Sequence, residues 1–188
     1  MTIAEPTHRR GQVVDDAILA AVITEIEADR TLKIRVDSVA ERAGVNKTTI
    51  YRRYRDRDAL VLAAVLANAD TLIPIPDTGT LRRDLTELAE MVRATVTSPL
   101  GQALLSASAD TTEFVELRSE YWRVRFDAAA SILRAAAKRG ECNSDVDAQL
   151  LIEVMVAPIH FRASQTSGTL TDEFLRIQVE RLLEAVSI

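Results

Sequence analysis

The stretch from Val36 to Tyr54 constrains the fold of this chain more than any other, because it has room for only two very short helices. They are predicted over Val36 to Ala43 and Asn46 to Tyr54, with Gly44 between them. Glycine adopts the left-handed backbone needed just past a helix end without a steric penalty. Asn46 is well suited to cap the second helix, since its side-chain oxygen can accept from the unpaired amides two or three residues on. Val39, Ala40, Ala43 and Val45 are small or branched apolar residues that let two helices cross closely around the glycine. Short helices split by a single glycine suggest a helix-turn-helix.

The flanks are helical as well. From Gly11 to Asp29, Val14, Ile18, Val22 and Ile26 recur every four positions, joined by Ala17 and Ala21, which marks one face of an amphipathic helix. A short connector, Arg30 to Arg35, follows. Asp56 to Asn68 reads as a longer helix with Leu60, Val61, Ala64 and Val65 facing inward. It ends before the cluster Ile-Pro-Ile-Pro-Asp-Thr-Gly at residues 73–79, the breaker run that we take as a joint between two domains. Beyond it the helical pattern continues over Leu81 to Val96, Pro99 to Ala109, Thr111 to Arg139, Val146 to Ser164 and Thr171 to Val186. Pro99 suits a helix start, and Gly140 a helix end beside Lys138 and Arg139. No strand pattern competes, and 6 glycines and 5 prolines are too few for a turn-rich β protein. The expected fold is therefore all-α, with an N-terminal helix-turn-helix module and a C-terminal helical bundle.

Charge separates the two parts. The chain carries a net −5, which at first argues against a nucleic-acid partner. Between Lys33 and Arg57, however, eight basic residues face three acidic ones, a local +5 that leaves −10 for the remainder. A basic island on an acidic body is the footprint of an anion-binding module. In a helix-turn-helix, the first residues of the second helix meet base edges in the major groove. Lys47 and Thr48 occupy that position, and Arg52 lies one turn beyond Thr48 on the same face. Lys and Arg favour guanine acceptors, so these three form a base-reading surface. Thr49, Tyr51 and Arg57 are suited to phosphates, and Ile50 and Tyr54 face back into the module. Arg9 and Arg10 fit an arm along the DNA backbone as well as they fit a disordered tail.

Here the chain resembles the TetR (tetracycline repressor) family of bacterial transcriptional regulators. Ala43, Gly44, Val45, Asn46, Thr49, Ile50, Tyr51, Tyr54, Arg57 and Leu60 fall in register with the family's signature. Arg35 stands where the family usually has a Thr opening the first helix of the motif, and Arg57 replaces the commoner Lys. Both changes preserve or add phosphate affinity, but the first leaves that helix without a hydroxyl cap. Asp37 in its first turn offsets this by meeting the positive end of the helix dipole. The glycine that often follows the family's first helix is also absent, with Asp29 and Arg30 nearby instead.

The resemblance implies a three-helix DNA-binding domain over residues 1–56, a connecting helix and linker over 57–79, and a ligand-binding and dimerisation domain over 80–188. It implies a ligand-responsive regulator, a repressor that binds a palindromic double-stranded DNA operator as a homodimer and is released by an unidentified small-molecule effector. The DNA contacts so expected are Arg35, Asn46, Lys47, Thr48, Thr49, Tyr51, Arg52 and Arg57. In similar proteins the effector sits inside the C-terminal bundle, so Met91, Phe114, Tyr121, Trp122, Arg125, Phe126, Met155 and His160 form the pool of ligand-lining residues. Trp122 and His160 stand out, because each joins an apolar body to a hydrogen-bonding group that needs a partner when buried. A histidine satisfied within the core remains the alternative for His160. Arg125 is suited to an acidic ligand group or to pairing with Glu120 or Asp127.

The helices over Val146 to Ser164 and Thr171 to Val186 are apolar round most of their circumference and must be buried on more than one side. By resemblance they form a four-helix dimer interface; a thick monomer core is the alternative. Pro158 falls inside the first of them, where it removes a backbone donor and is expected to bend or break the helix, shaping a pocket or fitting the dimer.

An enzyme is not expected. There is no Gly-rich phosphate loop, no His-Glu-x-x-His pair and no nucleophile elbow, and the histidines are His8 and His160 alone. No cofactor and no metal are expected either. Cys142 is the single cysteine, read as a spectator in a turn. The first ten residues lack the apolar core of a signal peptide, and no apolar run approaches the roughly 20 residues of a membrane span. The expected location is the cytoplasm, with no membrane partner.

Overall fold

The computed structural model describes residues 6–107, 115–166 and 168–187, and every regular element among them is helical. In chain order these are α1 (Pro6–Asp29), α2 (Val36–Ala43), α3 (Lys47–Arg53), α4 (Arg57–Leu72), α5 (Leu81–Thr97), α6 (Pro99–Ala107), α7 (Val115–Lys138), α8 (Ala148–Phe161) and α9 (Asp172–Val186). Phe114 and the side chains of Arg9 and Arg10 lie outside the described residues.

Local chemistry accounts for most of the helix ends. Asn46, Asp56, Asp147 and Thr171 each place a side-chain oxygen on an amide in the first turn of α3, α4, α8 and α9. Gly44 takes the left-handed conformation at φ 65°, so its amide and that of Val45 return to the last carbonyls of α2. α1 closes on Arg30, which adopts φ 52° where the family's glycine is absent. α2 starts at Arg35 without a side-chain cap, as its sequence implies. α5 is capped from afar: the Leu81 amide donates to Glu141 Oε2 at 2.5 Å. That bond and the Arg139 guanidinium hold the Glu141 carboxyl below its ordinary range. Asp84 in the first turn of α5 is buried, accepts from the Thr78 amide and hydroxyl at 2.6 and 2.7 Å, and so ties the proline-rich linker to the helix.

The core forms two clusters. In the first, Ile18, Val22 and Ile26 of α1 meet Val39 and Ile50 of the short helices and Leu60, Val61, Ala64 and Val65 of α4. Ala17 is exposed, so the buried face of α1 is narrower than its periodicity predicts. Leu100 and Ala103 of α6 and Tyr121 of α7 complete this cluster, so residues far beyond the linker pack against the helix-turn-helix side. The second cluster gathers α5, α7, α8 and α9, with Cys142 buried and its thiol 3.6 Å from the Leu133 carbonyl. Burial raises the Cys142 thiol pKa and keeps it from ionising.

Two features place the C-terminal helices. At Gly101 a Cβ would lie 1.9 Å from the Thr95 carbonyl oxygen, so only glycine lets α6 start this close to the end of α5. α8 runs through Pro158 without a break and is prolonged by one π-helical turn over Arg162–Thr166. Of the bend or break expected at the proline, the break is absent: the helix, which packs on both α7 and α9, is continuous through it. On the outer side of α8, Leu150, Val154 and Phe161 are exposed at 53%, 60% and 61%. Their spacing puts them in one apolar stripe. Among the described residues no helix is long and apolar enough to cross a membrane, and no group of His, Cys, Asp or Glu is placed to hold a metal ion.

Candidate functional site

The first candidate site is the outer face of α3. Asn46 Oδ1 accepts from the Thr48 amide at 2.9 Å and from the Thr48 hydroxyl at 2.8 Å, which fixes both the start of the helix and the Thr48 rotamer. Ile50 is buried on the inner side, and Tyr54 packs partly buried against the same cluster. The opposite face must then point outward, and Lys47, Thr48, Tyr51 and Arg52 are all exposed, with Thr49 half-buried. Lys47 and Tyr51 are one turn apart, with Nζ 6.0 Å from the ring centre.

Electrostatics divides the basic island. Lys47 Nζ lies 2.8 Å from Asp37 Oδ1 on α2, and this hydrogen bond raises the Lys47 pKa. Arg53 is turned back onto α1, where Nη1 meets both oxygens of Asp15 at 2.8 and 2.9 Å. Arg55 pairs with Asp56, and half-buried Arg57 with Asp58. Asp56 is held below its ordinary pKa by the Ala59 amide and the Arg55 guanidinium. Arg35 is 74% exposed and sits 3.5 Å from the buried Glu25, whose other oxygen is 3.8 Å from Arg42. Glu25 thus steers Arg35, at the cap of α2, and Arg42 within it from inside the fold. Counting charges along the chain does not anticipate that Arg53 is engaged by a carboxylate 38 positions away.

The second candidate site is a cavity of about 60 Å³ inside the helical body. α5, α6, α7 and α8 enclose it, with Ile73 from the end of α4 and Leu32 from the connector between α1 and α2. Of the pool named from sequence, Tyr121, Trp122, Arg125, Phe126 and His160 line it. Met155 is buried in the second core cluster and Met91 packs against that cluster, both away from the cavity wall. Leu32, Ile73, Thr95 and Gly101 line it without having been singled out, since nothing in their local pattern distinguishes wall from core.

The wall is largely aromatic on one side. Trp122 and Phe126, one turn apart on α7, stack at 5.3 Å with ring planes 20° apart. His160 meets Trp122 edge-on at 4.7 Å, and Tyr121 does so at 5.1 Å. Burial depresses the His160 pKa to about 4, so its imidazole is neutral at physiological pH. Its Nδ1 is buried with no hydrogen-bond partner among the described residues. Arg125 donates from Nη2 to the Ile73 carbonyl at 2.5 Å, tying α7 to the end of α4. Of the acidic residues suggested for Arg125, Glu120 is engaged by Arg123 and Asp127 by Arg134.

Comparison with known proteins covers both sites. Residues 33–64 match the model described as bacterial regulatory proteins, tetR family, and residues 75–182 match the model described as tetracyclin repressor-like, C-terminal domain. The chain is 34% identical over 171 residues to the HTH-type transcriptional regulator AqdR of Rhodococcus erythropolis, a match spanning 85% of this chain and 81% of that one. It is 33% identical over 183 residues to the DNA-binding transcriptional repressor TetR of Mycobacteroides abscessus, spanning 93% and 94%. Among solved structures, the TetR family transcription regulator SCO0332 superposes with a TM-score of 0.78 at 29% identity, covering 93% of this chain and 99% of that one.

Proposed function

The chain belongs to the tetR family of bacterial regulatory proteins and is a helix-turn-helix transcriptional regulator, and from that premise we propose that it represses as a homodimer on a palindromic operator and is released by a small-molecule effector in its cavity. The observation that carries the DNA half is the geometry of α3. Its start is locked by Asn46, its apolar side is buried at Ile50, and Lys47, Thr48, Tyr51 and Arg52 stand outward. In this reading Lys47, Thr48 and Arg52 meet base edges, while Thr49, Tyr51, Arg35 and Arg57 hold phosphates. Asn46 positions the helix. Lys47 exchanges Asp37 for a groove acceptor on binding.

The dimer is supported by the stripe of Leu150, Val154 and Phe161 on α8, which a monomer leaves in water. Pairing α8 and α9 with their copies covers it, and a two-fold dimer matches a palindromic site. Residues 1–56 then serve as the DNA module, 57–79 as connection, and 80–188 as the ligand and dimer domain. The body touches the DNA side through the cavity itself, whose wall includes Leu32 from the α1–α2 connector and Ile73 from the end of α4. A ligand that prefers one arrangement of that wall shifts the spacing of the two recognition helices.

Selection of duplexes from a random pool with the full-length protein tests this reading. The expected product is a pair of inverted half-sites. Simultaneous replacement of Lys47, Thr48 and Tyr51 by Ala should abolish the selection while leaving the helical fold intact. Failure of the wild-type protein to enrich any duplex at low salt would defeat the reading.

A further inference from the structure

The cavity wall contains five residues with polar side chains: Thr95, Tyr121, Trp122, Arg125 and His160. They divide by charge and by occupation. Arg125 carries the one charge, and its guanidinium is already bound to the Ile73 carbonyl at 2.5 Å. The other four are neutral, and the buried Nδ1 of His160 has no hydrogen-bond partner among the described residues. Burial keeps the Tyr121 hydroxyl protonated and the His160 ring uncharged. Such groups are costly to enclose without partners, and a ligand that supplies partners recovers that cost on binding.

Resting on the effector reading above, we propose that the cavity binds an uncharged, flat, mainly aromatic molecule carrying a hydrogen-bond acceptor of the ketone or amide type, and that it rejects the corresponding carboxylate. The acceptor answers the donors at hand: the Trp122 indole N–H, the Tyr121 hydroxyl, the Thr95 hydroxyl and the His160 ring when its proton sits on the buried, unpartnered Nδ1. The flat frame extends the stacked surface of Trp122 and Phe126, whose ring planes differ by 20°. The remaining wall is aliphatic, including Leu88, Val92 and Val156, and offers no partner to a second polar group. The free volume of about 60 Å³ is smaller than the roughly 150 Å³ that holds benzene in a protein core, so the wall must part to admit even a compact frame of one or two rings. An anion must leave water for a largely apolar wall, and the guanidinium of Arg125 is already engaged there.

The test holds the frame constant and changes the chemistry. Naphthalene, 2-acetylnaphthalene and 2-naphthoate are titrated calorimetrically into the full-length protein, with operator release followed in parallel. The ketone is expected to bind about tenfold more tightly than either the bare hydrocarbon or the carboxylate. The conservative Tyr121→Phe and the aromatic His160→Phe should each reduce that preference, while helix content and melting of the variants establish that they are folded. Equal or tighter binding of 2-naphthoate overturns the proposal, as does a preference untouched in both variants, or failure of all three probes to bind. If 2-naphthoate binds and releases the operator, the effector reading stands and the ligand class falls. If the ketone binds as expected and operator affinity does not change, the ligand class stands and the effector reading falls.

Discussion

Lowering the pH from 7 to 5 should destabilise this protein by about 2 kcal/mol through His160 alone, a value that follows from its depressed pKa of about 4 against an ordinary 6.5. Between those two values the unfolded chain holds a proton that the folded chain refuses, so added protons favour unfolding. The loss begins as the pH falls through the unfolded value and levels off below the folded one, at about 3.4 kcal/mol. The window is favourable because the other shifted acids act elsewhere. Asp56, Glu120, Glu141, Glu173 and Glu180 are held below ordinary values of 3.8 or 4.5 by hydrogen bonds, so their stabilisation is complete above those values and is lost only at lower pH. Urea unfolding followed by circular dichroism, at one fixed protein concentration, measures the effect at pH 7 and pH 5. His160→Phe keeps an aromatic ring against Trp122 and removes the titrating group, so its stability should change by about 2 kcal/mol less over the same interval. Identical pH slopes for the two proteins would refute the claim that burial, with no compensating partner, depresses this histidine.

Other perturbations probe the remaining links. Asp37→Asn releases Lys47 and removes a negative charge beside the DNA face; operator affinity measured by fluorescence anisotropy should rise about threefold and depend more steeply on salt. Val154→Arg alters a residue 60% exposed, so the protomer should fold normally, sediment as a monomer and bind a two-half-site operator about a hundredfold more weakly. Leu32→Ala removes the connector's share of the cavity wall; a cavity ligand should still bind within about threefold, while its power to release the operator drops about tenfold. Gly101→Ala drives a Cβ against the Thr95 carbonyl and should lower stability by about 1–3 kcal/mol, read as a fall in melting temperature.

Features set by nearby residues were legible in the sequence. The bounds of α2 agree with expectation because Gly44 and the run from Val36 to Ala43 determine them within one turn. The outward face of α3 was legible for the same reason, since Asn46 and Ile50 define its start and its inner side. Features set across the fold were not. α5 lacks a cap of its own, and Glu141 supplies one from 60 positions away. Arg53 counts toward a basic island along the chain, yet Asp15 takes up its charge in space. Pro158 looks like a bend or a break in the sequence, yet α8 is continuous through it. In the cavity, aromatic and titratable character marked Trp122 and His160, whereas Leu32 and Ile73 are aliphatic residues indistinguishable from core until neighbouring helices are placed around them.

That last group bears on how binding in one part of the molecule reaches another. Leu32 and Tyr121 belong to the core cluster that holds α1, α2 and α4 together, and both also line the cavity. A ligand held in the cavity would therefore touch the packing of the helix-turn-helix side directly, without an intervening layer. Leu32 is joined to Ile34 by a 2.9 Å backbone hydrogen bond, and Arg35 follows at the start of α2, so a shift at the wall has only a few bonds to travel. A second connection leads through Arg125 to the Ile73 carbonyl at the end of α4. The two routes enter the helix-turn-helix side from opposite ends, one ahead of α2 and one behind α3. A ligand that engaged both Leu32 and the Arg125–Ile73 contact would therefore act on the helix-turn-helix side at two points.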